Sequence, residues 1–577
     1  MKAIKYIITA SVLLVAFSCR TLEEYNESPN QIPVGEVPPS ALMDELICSG
    51  AINCQQRFYD TYAELMQYTC ITSSSNEVIS RYYIAPSYIE NCWNNFARWS
   101  ANADHMYDVA VKAEMKNYQA VALTLRAMYI DMLTATFGPI PFTEAFQIRE
   151  GNNKPVFDDE KTIYTQLILD LEKANELYKE SSNLEDTMKD KLYYGDIKKW
   201  QKFSNSLMLR LLMRLSKRDD KMEIAWGESV VTKVKRIIEN PASYPVMTEY
   251  TDNAAVYFTG EAPFQNGWGG YTEATLAGHR FTEHMYGLMK PQALGARGGD
   301  PRVYVWFMPY SASYGWIGIP SGIPGDDMQS AGYTVMNFQT MNNYKLPYSF
   351  MNCDEVYFLK AEAYANMDDD WKNITTSENI IRDLYNTGIR ESCKFWRYIY
   401  CEVLGYDGRF IDITSQPKYR NFYACNTANY DDDTPLELPI YTSEANKQNG
   451  KVSEYQTLMP VLSNPAIEDF YTNIVPFDMS NPLKCILEQK YIANFRVGLE
   501  GWCDYRRTGY PEMTILDGSY NNHILPYRLV YPNRTKTTND ANYQNLLRYL
   551  SETYYDGADD MLTPVWWSEA GLIKEIR

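Results

Sequence analysis

The amino-acid sequence predicts a mainly α-helical protein built of helix pairs, with a long irregular, loop-rich region in its middle and little β structure. Three observations carry this. Apolar residues recur at steps of three and four through most of residues 40–238, and again in 352–388 and 485–502. That spacing places them on one helix face. The period fails between about 240 and 352, where Gly and Pro cluster among aromatics. The chain has 577 residues, 45% of them hydrophobic, so core is ample. Length allows several domains, but one large helical body fits equally well.

Composition narrows the function classes. The formal net charge is −19, which disfavours nucleic acid and anionic lipid headgroups as partners. Only four His occur, too few for a His-rich metal or relay site. Eleven Cys in so long a chain do not make a disulfide scaffold. Cys353, Cys393, Cys485 and Cys503 fall at apolar or helical positions, where a free Cys acts as a small hydrophobe. Disulfides among the others stay open. Aromatics are abundant, with 48 Tyr, 12 Trp and 21 Phe.

The chain begins with Lys2 and Lys5 followed by an apolar run too short to span a bilayer. It ends on Ser18-Cys19, which resembles a bacterial lipobox with Ala16 in place of the usual Leu. Residues 1–18 are therefore expected to be a lipoprotein signal peptide and Cys19 a lipidated N-terminus. Several acyl chains on one cysteine give durable membrane attachment, where a single chain is marginal. Residues 20–39 are polar and rich in Asn, Glu and Pro, a tether. Residues 40–577 are expected to form a single domain with no further membrane span.

Leu42, Leu46 and Ile47, then Phe58, Tyr62, Leu65 and Met66, open the helical pattern. A helix is expected over 94–111. Residues 119–137 are apolar nearly all round, so that helix is predicted to be buried on most sides. Gly138-Pro139-Ile140-Pro141 ends it. Ile163, Leu167, Leu171 and Ala174 stripe the next helix; Trp200, Phe203, Leu207, Leu211 and Leu215 stripe the one after; 228–238 completes a pair. Helix pairs of this length resemble tetratricopeptide units, without a regular 34-residue repeat.

The middle region places aromatics among glycines: Phe264 to Tyr271 include Trp268, and Tyr310-Ser311-Ala312-Ser313-Tyr314-Gly315-Trp316 follows. So long a loop segment is functional or disordered, and its aromatic content argues against disorder. Trp and Tyr on such loops suit stacking on the apolar face of a sugar, and they suit clamping a peptide equally. Any single one of them also has the plainer role of pinning a loop to the helical body.

Residues 352–366 and 377–388 read as another helix pair. The acidic run Asp431-Asp432-Asp433 has the charge for Ca2+ but not the ligand spacing of a calcium loop, so a solvated loop is expected. No cofactor is implied. In 485–511, Leu487, Tyr491, Phe495, Leu499 and Trp502 fall at helical steps, predicting one helix of about seven turns ended by Gly509 and Pro511. Gly498 and Gly501 inside it mark a close backbone approach. Glu500, Asp504, Arg506 and Arg507 crowd its end, and a packing role is expected for them.

LEQKYIANFRVGLEGWCDYRRTGYP closely resembles the C-terminal signature of the SusD/RagB family of nutrient-binding outer-membrane lipoproteins, with Tyr491 for a Trp and Gly501 for an Ala. LRAMYIDMLTATFGPIPFTEAF, DDEKTIYTQLILDLEKANELY and GDIKKWQKFSNSLMLRLLMRLSKR resemble, in order, the N-terminal half of that family. The resemblance implies a lid on a SusC-like TonB-dependent outer-membrane transporter, capturing oligosaccharides or peptides at the cell surface. It also points to the loop after the first helices, giving Arg81, Tyr82 and Tyr83 as ligand contacts beside Trp268, Tyr310, Tyr314 and Trp316.

Nothing in the sequence reads as hydrolase equipment: there is no G-x-S-x-G elbow, H-E-x-x-H or C-x-x-C. His279 and His284 are five apart and fall on different helix faces. A binder, not an enzyme, is expected, with an oligosaccharide as ligand because the loops lack a basic cluster. Peptide capture and a tetratricopeptide-like envelope scaffold are the alternatives.

Overall fold

The computed structural model describes residues 37–147, 151–267, 278–291, 299–310, 315–327, 332–366, 371, 377–404, 436–440, 454–458 and 462–576. Helix α1 (Pro39–Arg57) starts with Pro39 in its first turn, where a missing N–H costs nothing. It runs on through a π-helical turn, Phe58–Tyr62, into Ala63–Leu65. Then come α2 (Pro86–Lys112), α3 (Lys116–Phe137), α4 (Glu160–Lys179), α5 (Ile197–Arg214), α6 (Asp219–Trp226) and α7 (Val230–Glu239). Asp159 caps α4 by accepting from Thr162 N, and Asp196 caps α5 by accepting from the N–H groups of Lys198 and Lys199.

Neighbours in sequence are neighbours in space: α1 packs on α2, α2 on α3, α3 on α4, α4 on α5, and α5 on α7. This is the expected helix-pair architecture. By length and composition α3 is long and apolar enough to cross a membrane, but 94% of its apolar stretch is buried inside the protein. It is the core helix. In the second half α8 (Cys353–Ala365) pairs with α9 (Glu378–Tyr398) and packs on α10 (Pro482–Ala493). Helix α9 runs ten residues beyond the expected end at Gly388, because Gly388 is a contact rather than a cap. A Cβ there would stand 2.7 Å from the Phe358 ring of α8.

The middle region is less irregular than its sequence suggests. Strands β1 (Thr69–Ile71), β2 (Ala254–Val256), β3 (His279–Phe281), β4 (Phe307–Met308), β5 (Val335–Met336) and β6 (Tyr348–Met351) make two small antiparallel sheets. One has the order β1-β3-β5-β4, with Thr69 opposite Phe281, Arg280 opposite Val335 and Phe307 opposite Met336. The other pairs β2 with β6. A further hairpin pairs β7 (Leu436–Ile440) with β8 (Glu454–Leu458).

The 485–511 stretch is two helices, not one. Helix α10 ends at Ala493, and α11 spans Glu500–Thr508. Between them Arg496 and Gly498 take left-handed backbone angles, φ 73° and 53°, which no helix continues through. The expected stripe is nonetheless wholly buried, because both helices turn the same side inward. Gly509 caps α11 in the left-handed conformation, as expected. Gly501 is the close approach: a Cβ would meet Tyr68 Oη at 2.6 Å. The Tyr68 ring cannot yield, since it stacks on Tyr491 at 4.2 Å and donates to Tyr491 O at 2.7 Å.

Around α11 lies a buried ion network. Arg210 grips Glu355 through two bonds, Nε–Oε1 2.8 Å and Nη2–Oε2 2.5 Å, and reaches Glu500 at 3.6 Å. Arg214 bonds Glu500 at 2.7 Å and also Asp131. Lys490 meets Asp504 at 2.9 Å, and Arg507 meets Glu362 at 2.5 Å. Burial alone would raise the Glu500 carboxyl, but Arg210 and Arg214 hold it below its ordinary value. Arg506 lies over the Trp502 ring at 3.6 Å and the Trp567 ring at 4.8 Å, donating to the carbonyls of Ala135 and Tyr527. The crowded charges of α11 are thus packing groups. Burial pushes the thiols of Cys54, Cys70, Cys92, Cys393 and Cys503 up to about 12, so they stay protonated as apolar filler. Cys401 is disulfide-bonded.

Candidate ligand-binding surface

Three loops, 72–83, 315–327 and 515–524, meet beside β1, an edge strand of the four-stranded sheet. The segment 315–327 joins them. Its Ile317 exchanges bonds with Thr334 next to β5: Ile317 N donates to Oγ1, and Thr334 N donates to Ile317 O, both at 2.9 Å. Ile319 N then donates to Phe281 O of β3 at 2.8 Å. Further on, Gly322 passes so close to Ser80 that a Cβ would lie 3.0 Å from its carbonyl. Gly325 N donates to Asn76 Oδ1 at 2.9 Å. The third loop, 515–524, closes on the other side, where Tyr520 N donates to Arg81 O at 2.8 Å.

Arg81 is the joint between them. Its guanidinium is buried and donates to Asn76 Oδ1 and to Gly518 O, the latter at 2.5 Å. The chain reverses at Tyr82, in the left-handed region at φ 62°, and this sends consecutive side chains opposite ways. Tyr82 goes into the core, 2% exposed, where burial raises its phenol. Tyr83 goes outward, half-buried. Its ring meets Tyr520 at 5.4 Å and 60°, and the Arg81 guanidinium sits 5.9 Å from the Tyr520 ring. Tyr520 is 40% exposed. Nothing in the local sequence singles it out, since its loop carries no motif and only folding brings it to Tyr83.

Of the middle-region residues, Tyr310 follows β4 at the opposite edge of that sheet, and Trp316 packs against Phe281 of β3. The Arg280 guanidinium stands 5.3 Å from the Tyr310 ring. Trp316 is half-buried, edge-on to Tyr304 at 5.5 Å and to Phe281 at 6.3 Å. Ile317 and Tyr286 beside it are exposed. Trp268, Tyr314 and Cys19 lie outside the described residues, as does the acidic run 431–433.

Chemically the face offers ring faces, backbone groups and hydroxyls. The two histidines nearby are committed elsewhere. His279 Nδ1 bonds Glu64 Oε1 at 3.0 Å. His284 packs edge-on to Tyr491 at 5.3 Å, and burial lowers it to about 4.

Residues 29–532 match a family profile, SusD-like, described as starch-binding and associating with the outer membrane. Comparison with curated protein sequences found no match. Among solved structures, a chitin-binding protein aligns with TM-score 0.68 and 18% identity, over 92% of this chain and 100% of that one. A SusD homologue from Bacteroides fragilis gives 0.66 and 18%, over 92% and 100%. A chitin-binding SusD homologue from Flavobacterium johnsoniae gives 0.63 and 20%, over 92% and 98%. At such identities these structures establish the fold.

Proposed function

The chain belongs to the SusD-like family of starch-binding proteins that associate with the outer membrane, and from that membership we propose a cell-surface lipoprotein that captures oligosaccharides. Cys19 is its lipid anchor, and a SusC-like TonB-dependent transporter is the partner that receives the ligand. The observation that carries the glycan reading is the outward pair Tyr83–Tyr520 beside the edge strand β1, with Tyr310 and Trp316 adjoining the same four-stranded sheet. Sugar rings present a flat apolar face to such side chains, while hydroxyls bond the polar groups between them. Each neutral hydrogen bond adds only about 1 kcal/mol net. Affinity stays moderate and release stays quick, as handing a ligand to a transporter requires. Starch and chitin oligosaccharides are the first ligands to try, given the family description and the chitin-binding proteins of the same fold.

No catalytic role is assigned. The buried carboxylates of the ion network are paired inside the core, away from any substrate. The test is isothermal titration of the mature protein against starch, chitin oligosaccharides and other glycans, with peptide digests in parallel. Saturable binding to a glycan is expected. Binding confined to peptides would replace the glycan with a peptide ligand.

A further inference from the structure

The three loops that meet at Tyr83 and Tyr520 also carry four carboxylates. Glu77 follows Asn76, which holds both Arg81 and Gly325 N. Asp326 and Asp327 follow Gly325, and Asp517 precedes Gly518, whose carbonyl holds Arg81. All four are exposed. The guanidinium at the centre is already spent on Asn76 and Gly518, and lies buried beneath the rings. The loops that frame the two rings therefore carry net negative charge.

We propose that these carboxylates make the Tyr83–Tyr520 face charge-selective: it takes uncharged or amine-bearing glycans and rejects those with carboxylate or sulfate groups. The proposal rests on the glycan reading above and adds the ligand's charge class to it. Four carboxylates less the Arg81 guanidinium leave three net charges, which at about 8 Å in water shift affinity roughly fivefold to tenfold per ligand charge at 10 mM salt, falling to about two- to threefold at 0.15 M.

The test uses mature protein and one backbone in three forms: maltooligosaccharides unmodified, carboxymethylated and aminated. Titration at 10 and 150 mM salt should rank them aminated, unmodified, carboxymethylated, with the gaps shrinking as salt rises. The quadruple variant Glu77→Gln, Asp326→Asn, Asp327→Asn, Asp517→Asn should bind the unmodified form as before and lose the ranking. Tyr520→Ala should weaken all three forms. Equal affinities at 10 mM, or a ranking that survives the quadruple variant, would overturn the proposal. Should the unmodified form bind while Tyr520→Ala changes nothing, this face is the wrong one and the glycan reading stands. No binding by any form takes down both.

Discussion

Replacing Arg210 with Met should be among the most damaging single changes in the protein. Arg210 is 3% exposed and Glu355 is fully buried, and the two share a bidentate bond. Removing the guanidinium strands the Glu355 carboxylate in the core, and Glu500, reached by Arg210 at 3.6 Å, keeps only Arg214. Breaking one partner of a buried pair costs about 3–5 kcal/mol, while replacing both with apolar groups of similar size is near neutral. At about 2.1 cal/mol/K per residue, a 577-residue chain has an unfolding entropy near 1.2 kcal/mol/K. The single variant should then lose about 2.5–4 °C in melting temperature. The double variant Arg210→Met/Glu355→Leu should recover at least half of that loss. Differential scanning calorimetry on wild type, both singles and the double completes the cycle. Singles that sum to the double would show that the pair does not act as a unit, and the reasoning would fail.

Further expectations concern neighbouring parts of the core. Gly501→Ala should destabilise by about 1–3 kcal/mol, because the new methyl meets Tyr68 Oη at 2.6 Å and the ring is held by Tyr491; Tyr68→Phe should relieve part of that loss. Glu160 is buried, accepts from Trp566 N, and burial raises it to about 8 from its ordinary 4.5. A raised carboxyl favours the folded state most below 4.5, and that stability is lost as pH rises through about 8, a span worth a few kcal/mol. Melting temperatures of Glu160→Gln should therefore vary less than wild type between pH 5 and 8. Tyr82→Ala should lower the melting temperature, and Tyr520→Ala should leave it within a degree or two, because only Tyr82 is core.

The helices were legible where a single apolar face runs their full length, as in α4 with Ile163, Leu167, Leu171 and Ala174, all fully buried. The same logic hid the break between α10 and α11. Phe495 and Leu499 keep the helical step across it, yet the backbone between them turns left-handed at Arg496, a residue that gives no such signal. Gly498 is the one visible mark, and a glycine inside an apolar stripe signals close packing as readily as a break. Strands of two to four residues, such as β4 and β5, are too short to show an alternation. At the candidate face, local sequence points to consecutive aromatics, but one left-handed residue buries Tyr82 and turns Tyr83 outward, half-buried. Tyr520 comes from 437 residues further along the chain, a contact that only the packed structure creates.

The most direct measurement is the oligosaccharide affinity of Tyr83→Ala/Tyr520→Ala beside its melting temperature. Stacking on an aromatic ring is worth about 1–3 kcal/mol for nucleic-acid bases, and sugars at the lower end of that range give a loss of at least tenfold for two rings. The account predicts that loss with a melting temperature close to wild type. Unchanged affinity in a stably folded double variant would contradict it.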